Sequence, residues 1–136
     1  MIRLTFIFAL LLFSAFSCSK EEESTAPVNP LEEIPAYVSR VNAPATATVG
    51  VFTPIEVYFV VNDGCGYFGS FETEGTGTEQ TIKVYAKYRP NICTQALVTL
   101  KQTYEFKPVV AGTYTLRFYQ EPEKYITKTI VVSNSN

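Results

Sequence analysis

From Tyr37 onward, apolar and aromatic residues recur at every second position in short runs separated by turn residues, the period of an extended chain with one buried face. Ile55, Val57, Phe59 and Val61 fall on one side of such a run, and Ile82, Val84, Ala86 and Tyr88 do the same on another. Val98, Leu100, Gln102, Tyr104 and Phe106 give a third, and Tyr114, Leu116 and Phe118 a fourth. A run rich in Ile, Val and Thr from Tyr125 to Val132, one near Val38 to Val41 and a short one through Tyr67 to Phe71 bring the total to about seven strands. A helix-period stripe would break this alternation everywhere, so the pattern predicts an all-β domain over residues 37–136, about seven antiparallel strands packed as a β-sandwich.

The first seventeen residues obey a different rule. Arg3 supplies a positive start, Leu4 to Phe16 is apolar apart from Thr5 and Ser14, and small residues precede Cys18. The apolar run is about half of the ~20 residues that a membrane-spanning helix needs, and an acidic stretch follows it directly. Residues 1–17 are therefore expected to be a cleaved lipoprotein signal peptide. Cys18 would become the acylated first residue that holds the protein on a membrane. Residues 18–36 are rich in Glu, Ser, Thr, Pro and Asn and poor in apolar side chains, the composition of a flexible linker. Losing Arg3 takes the formal net charge from −2 to about −3, which gives no electrostatic footing for nucleic acid.

Chemistry is bounded mostly by what the composition withholds. The chain has no histidine, so serine or cysteine nucleophiles lack their usual base and zinc its usual imidazole ligand. Asp63 is the single aspartate, too little for a calcium cage that takes several oxygen ligands. Glu72 and Glu74, two apart on a strand, point the same way as ordinary solvent-facing charges. Gly75-Thr76-Gly77 lacks the lysine and helix of a phosphate loop. The expectation is a protein without catalytic residues, metal or cofactor. With Cys18 taken by lipid, Cys65 and Cys93 form an even pair outside the reducing cytosol, which predicts a disulfide tying two loops at one end of the sandwich.

Two resemblances refine the picture. Ser19-Lys20-Glu21-Glu22-Glu23 is similar to the export signal of surface lipoproteins of the Bacteroidota, which implies an outer-membrane lipoprotein facing the medium. Pro108-Val109-Val110-Ala111-Gly112-Thr113-Tyr114 resembles the corner that leads into the penultimate strand of immunoglobulin-like modules, where a turn glycine precedes an inward tyrosine. Val49-Gly50 before Pro54-Ile55 resembles their linker into the second strand. Together these imply an immunoglobulin-like sandwich without the tryptophan of antibody domains.

Such a fold names no ligand, so candidates come from surface residues. Tyr67 sits among Gly64-Cys65-Gly66-Tyr67-Phe68-Gly69-Ser70-Phe71 beside the expected disulfide; Phe68 and Phe71 there fit either a ligand contact or core filling. Tyr58, Tyr85 and Tyr119 are expected to point outward with Lys83, Lys87, Lys101 and Arg117; where the strands carrying them lie in one sheet, they make a tyrosine-and-cation face suited to stacking on sugars or gripping a protein. The function expected is noncatalytic binding of a protein or glycan partner. Two alternatives are an envelope-structural subunit and a protease inhibitor using the disulfide-tied loop 64–70.

Overall fold

The computed structural model describes residues 33–90 and 92–135; the expected leader, Cys18 and most of the linker lie outside the described residues. Eight strands follow one another: β1 (Ile34–Asn42), β2 (Thr46–Thr48), β3 (Thr53–Val61), β4 (Gly66–Glu74), β5 (Glu79–Tyr88), β6 (Val98–Phe106), β7 (Gly112–Glu121) and β8 (Lys124–Ser133). Alternation decides which side of each faces inward. Ile55, Val57, Phe59 and Val61 of β3, Ile82, Val84 and Ala86 of β5 and Leu116 and Phe118 of β7 are wholly buried, whereas the residues between them are not. Burying each large apolar side chain stabilises the fold by ~1.5–3 kcal/mol, so a one-residue slip in any strand would forfeit several such terms at once.

The strands form two layers of a β-sandwich. In the larger, hydrogen bonds run in the order β2-β8-β7-β5-β4; in the smaller, β1-β3-β6. Strand β1 belongs to both, because Ile34–Ala36 pairs with Val84–Ala86 of β5 before Tyr37–Asn42 pairs with β3. The transfer falls between Ala36 and Tyr37, and a bulge between Val38 and Arg40, just beyond it, adds a bend where β1 is already paired with β3.

Three sequence expectations need correction. There are eight strands, not seven: β2 is a Thr-Ala-Thr triplet too short to show an alternation. The sheets are mixed, because β2 runs parallel to β8 and β5 parallel to β7. The second pairing arises because β6, between β5 and β7 in sequence, crosses to the other layer and returns the chain to the end from which β5 started. Finally, β1 begins at Ile34, inside the stretch assigned to the linker, and Ala36 is already core.

The corner before β7 takes the form the sequence suggested. Gly112 adopts φ +145°, a conformation open to glycine, and Tyr114 turns inward to 1% exposure. The Tyr114 hydroxyl donates to the Val110 carbonyl at 3.2 Å, locking the turn four residues upstream, as in the tyrosine corner of immunoglobulin-like sandwiches. Phe68 and Phe71 prove to be core-packing residues. They are an odd number apart, yet both turn inward because a bulge at Gly69 shifts the β4–β5 register between them. Their rings continue a chain of contacts, Phe59–Phe68–Phe71–Tyr104–Phe118, with centroids 4.9–6.3 Å apart across the layers.

The disulfide joins Cys65, in the turn between β3 and β4, to Cys93, in the loop between β5 and β6, with Cα atoms 5.6 Å apart. Both loops lie at the end where β3 finishes and β1 begins, since Tyr37 pairs with Val60. Close packing there fixes Gly66: a Cβ on it would lie 2.5 Å from the Val61 Cβ.

Candidate binding surface

The outer face of the larger layer is a lattice of ion pairs and tyrosines. On β4 and β5, Tyr67 lies opposite Lys87, Ser70 opposite Tyr85 and Glu72 opposite Lys83. Lys83 Nζ reaches Glu74 at 2.6 Å and Lys87 Nζ reaches Glu33 at 2.7 Å, while the Tyr85 hydroxyl donates to Glu72 at 2.7 Å. The hydrogen bond from Lys87, seconded by Ser70, lowers the Glu33 pKa; the same pairing raises that of Lys87. The bond to Glu72 raises the pKa of Tyr85, and the Glu74 contact that of Lys83. Most outward charges of this half are thus paired with neighbours, which leaves aromatic rings as the distinctive feature.

Those rings gather where β7 leaves β5 and β1 takes its place. The last β5–β7 pair is Ile82–Phe118 and the nearest β5–β1 pair is Val84–Ala36, so Tyr119 and Tyr37 each stand one residue beyond the last pair of their strand with β5. Tyr125 of β8 lies directly opposite Tyr119, their rings edge to face with centroids 6.2 Å apart. Gln120, at a bulge between Tyr119 and Glu121, fills the gap: its Nε2 donates to the Tyr37 hydroxyl at 3.0 Å and to the Val38 carbonyl at 2.9 Å. Tyr37 and Tyr125 remain 45% and 41% exposed. Lys124, held by Glu121, borders the group and has its pKa raised, first by that carboxylate and last by Tyr37.

The candidates named from the sequence are therefore divided. Tyr67, Tyr85, Tyr119 and Arg117 share the outer face of the larger layer. Tyr58 does not: it lies on β3 in the smaller layer, with the Arg40 guanidinium 3.8 Å from its ring centroid and its hydroxyl on Glu56. Lys101 accompanies it there, bound to Glu56 at 2.9 Å, and that bond and one from Asn42 lower the Glu56 pKa, the Asn42 bond contributing most. Strand alternation shows that a residue faces outward but not from which layer.

Tyr67 carries Arg89 at 5.2 Å from its ring centroid. Arg117 approaches Glu79 at 3.5 Å and lines a polar groove of about 320 Å³ with Glu74 and the start of β5. The expected loop 64–70 is mostly strand, because β4 begins at Gly66 and Phe68 turns into the core. Tyr37, Gln120 and Tyr125 were missed by the sequence reading. The opposition of Tyr119 and Tyr125 across a short Pro122-Glu123 turn was the available signal; the arrival of Tyr37 had none.

Asp63, Cys65 and Cys93 bring three possible ligand atoms within 4.8 Å of one another. The two sulfurs are bonded to each other and so offer no thiolate, and the Asp63 carboxylate accepts the Cys65 N–H at 2.8 Å. The trio is a braced turn.

Residues 55–132, from the first buried apolar residue of β3 to the last of β8, match the model of a family described as the ORF11 beta-sandwich domain. No curated protein and no solved structure matches the chain.

Proposed function

The chain belongs to the ORF11 beta-sandwich domain family, and from that framework we propose that it is a noncatalytic binding module, held on the outer membrane by a lipid at Cys18 and displayed on the cell surface, whose partner is an external glycan. The observation that carries the reading is the Tyr37–Tyr119–Tyr125 group around Gln120. Tyrosine rings give stacking area for the apolar faces of sugars at little entropic cost, and their hydroxyls, with Lys124 nearby, supply directional polar contacts. A sheet holds the rings in place more firmly than a loop would, so little ordering accompanies binding. The protease-inhibitor alternative draws no comparable support, since its loop is largely strand β4.

Affinity electrophoresis through gels containing a panel of neutral and acidic polysaccharides tests this. We expect retardation by at least one polymer, and a loss of about fivefold or more in affinity for Tyr37→Ala and Tyr125→Ala at an unchanged melting temperature, in line with ~1 kcal/mol or more per stacked ring. Retention equal to that of the parent in both variants would refute the site. Protease shaving of intact cells with a periplasmic marker, together with the mass of the mature N-terminus, tests display and acylation.

A further inference from the structure

A second surface lies at the pole opposite the disulfide. Here the turn from β2 into β3 and the corner from β6 into β7 meet, joined by the Gly50 N–H on the Pro108 carbonyl at 2.8 Å. Each is braced internally, one by the Val51 N–H on Thr48 at 3.1 Å and the other by the Tyr114 hydroxyl on Val110. On this fixed support, four apolar side chains point to solvent: Val51 at 52% exposure, Phe52 at 58%, Val109 at 75% and Val110 at 51%. Lys107 lies over the Phe52 ring, 4.7 Å from its centroid, and makes no ion pair with any described residue. Lys83, Lys87, Lys101, Arg117 and Lys124 are ion-paired on the sheet faces, which puts Lys107, with Arg40, Arg89 and Lys128, among the described cations outside any ion pair.

We propose that this tip docks into a phosphate-bearing lipid bilayer, with Phe52, Val51, Val109 and Val110 entering the interface and Lys107 reaching the headgroup phosphates. Two arguments select this occupant. The patch lies on two joined turns at the end of the sandwich, and a fluid interface accepts such a tip to a depth of ~5–10 Å without a matching socket. An unpaired lysine beside the apolar group is the arrangement that lets a long side chain keep its ammonium at the headgroup level while its stem stays in apolar surroundings.

Chain length also allows the lipid at Cys18 and the tip to share one membrane. The segment between Cys18 and Ile34 can extend to ~50 Å at about 3.3–3.6 Å per residue, whereas strands of nine or ten residues span only about 30 Å. With the tip seated, the domain would stand with its large sheet face sideways and clear of the bilayer.

The test uses the mature chain, residues 18–136 with Cys18→Ser, which carries neither the apolar leader nor a lipid, and vesicles of phosphatidylcholine with and without phosphatidylglycerol. Because the chain contains no tryptophan, Phe52→Trp places a single reporter in the tip. We expect the Cys18→Ser chain to sediment with vesicles, and the emission of the introduced indole to shift to the blue on adding them. Phe52→Ser combined with Val109→Ser should reduce the bound fraction at least tenfold at an unchanged melting temperature. Lys107→Ala should weaken binding more on the vesicles containing phosphatidylglycerol. Absence of sedimentation on both vesicle types, an unshifted emission, or undiminished binding of the double variant overturns the proposal. So does a dimer in sedimentation velocity that Phe52→Ser dissociates, which would assign the tip to a second copy.

Discussion

Gln120 shows how one side chain can join two irregularities. It sits at the bulge of β7, and its amide closes on the Val38 carbonyl, at the bulge of β1 that follows the transfer between layers. A bulge leaves ladder groups unpaired, and a half-buried carbonyl without a donor costs ~1–3 kcal/mol. Gln120→Leu is therefore expected to destabilise the domain by about 1–2 kcal/mol, lowering the melting temperature by roughly 4–12 °C for a domain of this size. Calorimetry or thermal denaturation followed by circular dichroism reads the shift directly. The same variant frees the Tyr37 hydroxyl, so it should also weaken glycan retention if the ring depends on the amide for its position. Nothing near Gln120 in the sequence distinguishes it from any polar residue at a strand end. Tyr114, by contrast, was legible, because a glycine two residues before an inward tyrosine is a local pattern with a local hydrogen bond.

Among elements, the loops at the disulfide pole are the ones with least core of their own. The β5–β6 connection leaves Leu97 largely exposed, and it is anchored by Cys93 and by the Gly64 N–H on the Thr94 carbonyl at 3.0 Å. Cross-linking residues 28 apart removes chain entropy from the unfolded state equivalent to ~3–4 kcal/mol. Replacing both cysteines, Cys65→Ser with Cys93→Ser, should lower the urea midpoint by a corresponding amount while leaving the strand signal in circular dichroism intact. An unfolded double variant would mean that the bond is needed to form the β3–β4 turn at all. The pairing itself could be foreseen from cysteine parity. Strand order could not, because β5 and β7 are each readable as strands, but their parallel alignment depends on where β6 goes.

At the scale of the whole molecule, the charge lattice sets a plain dependence on pH. Glu33 and Glu56 have folded pKa values below their ordinary ones, so their contribution is present above the ordinary carboxylate range and is lost as pH falls through the lowered values. Lys83, Lys87, Lys101 and Lys124 are raised, and theirs is present below the ordinary lysine range and lost as pH rises through the raised values. With no histidine to titrate between these limits, the melting temperature should be flat from about pH 6 to pH 9 and fall at both extremes. Melting curves across pH check this, and Glu56→Gln should shallow the acid limb. A step near neutrality would contradict the assignment.

What the sequence determined by itself was everything that repeats at short range: which segments are strands, which of their faces is apolar, where the tyrosine corner turns and which cysteines are left to pair. These follow from steric and hydrophobic rules acting over two to five residues. Tertiary structure decided what those rules leave degenerate. It placed Tyr58 and Tyr85, identical in their alternation, on opposite layers, and it brought Tyr37 beside Tyr119 by passing β1 from one sheet to the other. It also set Val51 and Phe52 against Val109 and Val110, more than fifty residues away, at a single tip. A strand's pattern says that one side must be buried, but the choice of partner edge is settled by how all the buried faces close around one core.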